Sequence, residues 1–452
     1  MAKEQLFTLN QFTGYAIIFA AKAIRGFDKL IPNINLASRI NKLLPTELVL
    51  FLRTVGEYTA KNGQNLYLVG GAVRDLLLGI AYFDLDLVTE GDAITLAQSL
   101  RLKNANVVTH PAFGTANVKW ASWSIDLSTA RSEIYTTPGA LPEVTPSNIN
   151  RDLFRRDFSI NAMAISLHPD KYGELTDPYH GFTDLKNKLI RILHENSFID
   201  DATRIWRAIR YEQRLGFNIE PSTIRLLKRD TGMLDTISGD RVRHELELVF
   251  KEKLPEKVIH RAQELEVLVK LNPALKENGW LADKFKNARK MGIPDSSLAI
   301  VYMGLMIYHF DSNALTQFAS SLRLIKTIVH ILKEVIELRD NLSTLAKPEV
   351  TPSEIYFSLN EYSSLAIIIS SIATDSTVIE QHIKNYISRL SHIKPRLNGD
   401  DLKRLGIIEG TDIKKLLHLL HIARLDGQVI TKQGEIRLIH RWLREIQPKS
   451  KK

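Results

Sequence analysis

Phe83-Asp84-Leu85-Asp86-Leu87 places two aspartates two residues apart in a run that alternates apolar and acidic side chains. On a strand, residues i and i+2 project from one face. Asp84 and Asp86 are therefore expected side by side, with Phe83, Leu85 and Leu87 turned the other way into a core. Two adjacent carboxylates repel one another unless a cation lies between them. Mg²⁺ suits that place, because it takes one or two carboxylates and completes its shell with waters and substrate phosphates. Asp126, flanked by Ile125 and Leu127 on a later predicted strand, offers a third carboxylate. Asp-x-Asp alone is common on half-exposed strands, so its meaning depends on what accompanies it.

What accompanies it is a turn suited to phosphate. Val69-Gly70-Gly71-Ala72-Val73-Arg74-Asp75 sets two glycines between a predicted strand and a predicted helix. Glycine lets backbone approach a phosphate closely, and the first N–H groups of the helix point at it. Arg74, one turn in, can grip the same triphosphate with its planar fork. A phosphate turn followed within about a dozen residues by a metal-type acidic pair is a far rarer combination than either part.

Several elements must hold these residues. Leu66-Tyr67-Leu68-Val69 reads as a buried strand and Ala72 to Leu78 as a helix. Val107 to Thr109 and Asn117 to Ser128 read as further strands, the second broken by a turn near Ala121-Ser122. Residues 1–45 show helical apolar spacing and form an expected N-terminal extension. Beyond Asn187 apolar residues recur at three- and four-residue spacing to the end. Breaks fall near Gly216, Gly239, Pro255, Pro294, Lys347–Pro352 and Pro395–Asp400. The expectation is α+β: a small mixed-sheet head at 46–186, then all-α segments at 187–254, 255–345 and 346–452.

The chain of 452 residues contains no cysteine, which excludes disulfides, thiolate zinc sites and cysteine nucleophiles. That fits a reducing compartment, and a cytoplasmic protein is expected. Lys and Arg exceed Asp and Glu by nine, a balance that favours polyphosphate partners. No run is long and apolar enough to suggest a membrane span.

Leu68-Val69-Gly70-Gly71-Ala72-Val73-Arg74-Asp75-Leu76-Leu77-Leu78-Gly79, followed by Asp84-Leu85-Asp86-Leu87-Val88, resembles the first motif of the class II tRNA nucleotidyltransferases and bacterial poly(A) polymerases. Arg155-Arg156-Asp157-Phe158-Ser159-Ile160-Asn161-Ala162-Met163-Ala164 resembles their second motif, and Asp177-Pro178-Tyr179-His180-Gly181-Phe182-Thr183-Asp184-Leu185 their third. Asp200-Asp201-Ala202-Thr203-Arg204, continuing to Arg207 and Arg210, resembles the fourth. Leu397-Asn398-Gly399-Asp400-Asp401-Leu402 through Ala423-Arg424-Leu425-Asp426-Gly427 resembles the tail domain. Two departures stand out: His180 replaces the first of two paired glycines, and Asp200 replaces a glutamate.

The resemblance implies a polymerase-β-like nucleotidyltransferase head followed by helical neck, body and tail. It implies transfer of nucleotides from ATP and CTP to the 3′ end of tRNA, with two Mg²⁺ ions on Asp84 and Asp86 and with Asp126 nearby. Arg156, Arg207 and Arg210 are implied nucleotide-binding residues, and Asp157 and Asn161 are placed near the ribose. Asp201 and Arg204, three apart on a predicted helix, share a face. A carboxylate accepts and a guanidinium donates, which matches the amino donor and bare ring nitrogen of cytosine and adenine. Uracil and guanine present the opposite polarity and would leave buried groups unpaired. The RNA 3′-hydroxyl is then expected to attack the α-phosphate with loss of pyrophosphate, while the helical half holds the tRNA acceptor arm by its shape.

Within the family the activity is CCA addition, addition of C-C or of A alone, or poly(A) synthesis. Ser353-Glu354-Ile355-Tyr356 and the run from Asp200 to Arg214 lean toward the A-adding branch. The segment between Asp126 and Arg155, where relatives carry a flexible loop, is not visibly deleted, which keeps CCA addition open. No His-Asp dipeptide occurs, so no phosphohydrolase activity is expected. A non-catalytic RNA-binding protein would have no use for Asp84 and Asp86. A transferase acting on protein or antibiotic would have none for Asp201 and Arg204.

Overall fold

The structure, a computed structural model, describes residues 34–80, 85–100, 102, 104–140, 142–407 and 411–446. Most of the expected N-terminal extension, and Asp84 itself, lie outside the described residues. The chain divides into two compact units. One runs to Arg204 and includes Leu215–Leu227; the other holds Ile205–Arg214 and everything from Lys228 onward.

The first unit is built on a seven-stranded mixed sheet in the order β3-β4-β5-β2-β1-β8-β9. Its strands are β1 (Leu66–Val69), β2 (Leu85–Thr89), β3 (Asn106–His110), β4 (Thr115–Trp120), β5 (Trp123–Thr129), β8 (Ala164–Ser166) and β9 (Leu175–Thr176). β2 pairs with β5 in parallel, and every other pairing in this sheet is antiparallel. The expected break in Asn117 to Ser128 is the turn between β4 and β5, where Ala121 takes φ 51°. A separate hairpin, β6 (Arg131–Ile134) with β7 (Glu143–Pro146), had no clear signal in the sequence.

Alternation fixes which side chains face the core. Leu85, Leu87, Ile125 and Leu127 are at most 1% exposed, as the apolar half of the Asp-x-Asp pattern requires. The other face is covered in part. Val88 packs there with Val69, Ala130, Ile149, Leu153, Ala162 and Ala164, so β2 is buried on both sides away from its acidic residue.

Helices flank this sheet: α1 (Ala37–Leu43), α2 (Thr46–Lys61), α3 (Gly71–Leu78), α4 (Ala93–Ser99), α5 (Ile149–Phe154) and α6 (Gly181–Lys186). A single turn, α7 (Ser197–Asp200), precedes α8 (Thr203–Leu215). Strands β10 (Leu189–Ile190) and β11 (Asn218–Ile219) pair in parallel. Beyond them the chain is helical through α9 (Pro221–Asp230), α10 (Gly239–Phe250) and on to Lys432–Ile446. The predicted breaks are helix starts, except Gly216, which follows the last residue of α8 with φ 65°. Pro255 and Pro352 occupy first-turn positions, and Thr351 with Glu354 forms a capping box. No helix among the described residues is long and apolar enough to cross a membrane.

The third motif explains one departure noted above. His180 caps α6 with φ 59° and ψ 28°, the left-handed region that glycine adopts without strain. Asp177 accepts the N–H groups of Gly181 and Phe182 at 2.7 and 2.9 Å, which fixes the turn. Gly181 is irreplaceable for a different reason: a Cβ there would lie 2.1 Å from the carbonyl oxygen of Ser159. G181A is therefore expected to destabilise the head by about 1–3 kcal/mol or more. H180G is expected to leave stability unchanged or raise it by up to about 1 kcal/mol. Thermal melts of the two variants check this contrast, and a lower melting temperature for H180G than for G181A would contradict it.

Candidate active site

Asp86 and Asp126 are register partners across the parallel pair β2–β5. Strands set side by side lie about 4.8 Å apart, so two like charges share one patch of the sheet. Asp86 is half-buried and Asp126 exposed. Asn117, opposite Asp126 on β4, donates to its Oδ1 at 2.6 Å and also to Ser124 at 2.9 Å. A hard cation fits this donor set of paired carboxylate oxygens. No group of three metal-type ligands occurs among the described residues, and Asp84 is not among them.

The glycine turn closes on the same place. Gly70 takes φ 71° and ψ −136°, a conformation for glycine alone. A Cβ on it would meet Arg156 Nη1 at 2.9 Å and Asp86 Oδ2 at 3.5 Å. Gly70, Asp86 and Arg156 therefore converge at the start of α3, whose first-turn N–H groups have no acceptor within the helix. This bare turn gives an anion its approach.

Arg74, expected to grip the triphosphate, is engaged by side chains of the head. It is 3% exposed. Its Nε and Nη2 donate to Asp75 at 2.9 and 3.1 Å, and its Nη1 donates to Asn161 Oδ1 at 2.7 Å. Asn161 in turn donates to Asp157 Oδ1 at 3.0 Å, which also accepts the N–H of Phe158. Arg74 thus locks the second motif to α3 and holds Asn161 and Asp157 in one orientation.

The fourth motif departs from expectation. Asp201 is not on the helix with Arg204; it has extended backbone, φ −143° and ψ 97°, between α7 and α8. Its Oδ1 accepts the N–H and hydroxyl of Thr203 at 3.0 and 2.6 Å. Aspartate ahead of a helix satisfies first-turn donors, and that local bond ends one helix and starts the next. Arg204, 4% exposed, donates to the carbonyls of Ser197 at 3.2 Å and Arg155 at 2.7 Å. Arg207 and Arg210 belong to the second unit. There both approach Glu245, at 3.8 and 3.7 Å, and Arg210 also reaches Glu252 at 3.3 Å.

Residues that the sequence reading passed over hold these arginines. Asp152 on α5 accepts from Arg155 and Arg156, and Glu133 on β6 accepts from Arg131, Arg155 and Tyr135. Burial opposes ionisation of Asp152, but Arg156 and Arg155 outweigh it and hold the carboxyl below its usual range. Asp152 had a signal, since it precedes Arg155 and Arg156 by three and four residues at helical spacing. Glu245 had none, because Arg207 and Arg210 come from distant sequence, and Glu133, flanked by Arg131 and Tyr135, takes Arg155 from 22 residues away. A cleft of about 580 Å³ lies at the far end of β2 and β5, lined by Glu90, Phe113, Thr129 and Thr145, away from Asp86 and Asp126.

A sheet carrying facing carboxylates beside a bare glycine turn and a cationic arginine defines a nucleotidyltransferase head. Residues 66–191 match the poly(A) polymerase head domain, and residues 216–278 match a model described as a probable RNA- and SrmB-binding site of polymerase A. The A-adding tRNA nucleotidyltransferase of Halalkalibacterium halodurans is 32% identical over 436 residues, covering 92% of this chain and 97% of that protein. The A-adding enzyme of Geobacter sulfurreducens is 33% identical over 88% of this chain, which spans 47% of that relative. A solved Thermotoga maritima CCA-adding enzyme in complex with tRNA aligns with TM-score 0.75 and 30% identity, over 91% of this chain and all of that one. A CCA-adding enzyme in complex with ATP aligns with TM-score 0.78 and 29% identity, over 92% of this chain and all of that one. The chain belongs to the tRNA nucleotidyltransferase family.

One titrating group borders the site. Burial first, then the charge of Arg204, pushes His194 down to about 4. The imidazole is therefore neutral at pH 7, and its 3.8 Å approach to Asp200 is a polar contact rather than an ion pair. An unfolded histidine titrates near 6.5, so between pH 6.5 and 4 the unfolded chain binds a proton that the folded one does not. Stability is complete above pH 6.5 and falls as pH drops toward 4, by up to about 3 kcal/mol from this residue. Denaturant titrations of wild type and H194Q across that window measure it. The difference between the two is expected to shrink as pH falls, and a constant difference would contradict the assignment.

Proposed function

We propose that the protein adds CMP and AMP to the 3′ end of tRNA, building or repairing the CCA terminus from CTP and ATP with release of pyrophosphate. The observation that carries this reading is the convergence of Asp86, Asp126, Arg156 and the Gly70 turn at the central strands of the head sheet. Asp84 and Asp86 are the residues we assign to two Mg²⁺ ions, with Asp126 beside them. Bound there, the ions would acidify the RNA 3′-hydroxyl and neutralise the departing pyrophosphate.

The chain's own groups do the rest. The Gly70-Gly71 turn admits the triphosphate to within reach of backbone N–H groups, and Arg156 adds a positive charge there. Arg74 orders Asn161 and Asp157 for the ribose, where a carboxylate accepts from a hydroxyl. Asp201 and Arg204, separately anchored as an acceptor and a donor, select cytosine and adenine by polarity. Arg207 and Arg210 are the further nucleotide-binding residues, and the helical neck, body and tail (187–254, 255–345 and 346–452) hold the tRNA acceptor arm.

A second reading, addition of the terminal AMP alone, is favoured by the names of the two relatives that match 88% and 92% of the chain. Transcripts ending at the discriminator base, at C and at C-C, offered each nucleotide singly with Mg²⁺, separate the two. Extension of all three to CCA establishes the complete enzyme; extension of the C-C transcript by ATP alone establishes the A-adding specialist. Growth of none would overturn both. D86N is expected to lower turnover by about a thousandfold, the order of several kcal/mol of lost charge stabilisation. Turnover within a few-fold of wild type would remove Asp86 from the chemistry.

A further inference from the structure

Asp152 is the carboxylate on which the arginines of the head converge. It has 0% exposure, in the first turn of the short helix α5. Its Oδ1 accepts from Arg155 Nε and Nη2 at 2.9 and 2.8 Å and from the N–H of Arg131 at 3.3 Å; its Oδ2 accepts from Arg156 Nη2 at 3.0 Å. A buried charge persists only when it is paired and hydrogen-bonded, and here both oxygens are.

The two arginines lead to different parts of the site. Arg156 is pinned to Asp152 through Nη2, while its Nη1 lies 2.9 Å from where a Gly70 Cβ would be. Its buried Nε has no hydrogen-bond partner among the described residues. One edge of the guanidinium is therefore fixed, and the remainder is turned toward the glycine turn. Arg155 keeps Glu133 as a second acceptor at 3.1 Å, and its backbone carbonyl receives Arg204 Nη2 at 2.7 Å. One acid thus connects the guanidinium beside Gly70 with the carbonyl that anchors Arg204.

We propose that Asp152 is a positioning residue for nucleotide binding, which holds Arg156 against the Gly70 turn and, through Arg155, fixes Arg204. The inference rests on the transfer reaction proposed above. A long cationic side chain ordered in advance loses less freedom when a triphosphate arrives, so Asp152 acts on affinity without touching substrate. Its amide isostere has one acceptor atom in place of two. Arg155 would retain Glu133, whereas Arg156 depends on Asp152.

Steady-state kinetics with ATP and a tRNA ending in C-C test this, using D152N, R156A and the double variant. D152N is expected to raise KM for ATP by about tenfold, the scale of one lost charge-assisted hydrogen bond, with a much smaller change in kcat. Adding D152N to R156A is expected to change KM little further, because Arg155 keeps Glu133 as its acceptor and the contact that D152N removes acts through Arg156. An unchanged KM in D152N, or effects that multiply in the double variant, would overturn the proposal. Should D152N fail to fold, D152E keeps the charge but displaces it by a methylene; a raised KM supports the proposal and a wild-type KM overturns it. Wild-type protein that extends no tRNA would defeat the transfer reading itself, whereas an active wild type beside an indifferent Asp152 variant defeats this inference alone.

Discussion

The head is organised around a repulsion. Asp86 and Asp126 stand in register on neighbouring parallel strands, two like charges side by side. The strands stay together because Leu85, Leu87, Ile125 and Leu127 on the opposite face are withdrawn from water. Apolar burial is roughly proportional to area and indifferent to what stands on the other side of the sheet. The core can therefore hold two like charges where an isolated pair of strands would not. Positive charge is then brought to the same central strands, from Arg156 over Gly70.

Arginines near those strands differ in what they are committed to. Arg74 spends its fork on Asp75 and Asn161, and Arg204 on two backbone carbonyls. Both are nearly inaccessible and oriented by these bonds. Among the described residues, Arg156 is held through one nitrogen, its Nη2 on Asp152. A guanidinium offers five donors in a fixed plane, so the number already engaged decides whether it supports a site or serves in it. Residue type and motif position do not reveal that number.

Much of the architecture was legible. The alternation around Asp86, the strand before Gly70 and the turn near Ala121 all reappear, because each depends on neighbours within a few residues. The prolines and glycines marking helix boundaries succeeded for the same reason. The hairpin β6–β7 was missed: its strands are short, and its anchors Asp152 and Arg155 come from α5. Asp201 and Arg204 were misjudged in geometry through a local competition, in which capping of Thr203 by Asp201 broke a helix that spacing alone would continue.

The sequence by itself determined the reaction class and the order of the elements. Glycine at a positive φ, carboxylates at a two-residue period and proline at a helix start are constraints of covalent geometry, and they act wherever the chain goes. Only the tertiary structure decided which charged groups are spent on one another. Asp152 reaches Arg131 across 21 residues, Arg204 meets the carbonyl of Arg155 across 49, and Arg74 meets Asn161 across 87. Such pairs form when packing removes water from both partners at once, and no local rule of the chain encodes that event.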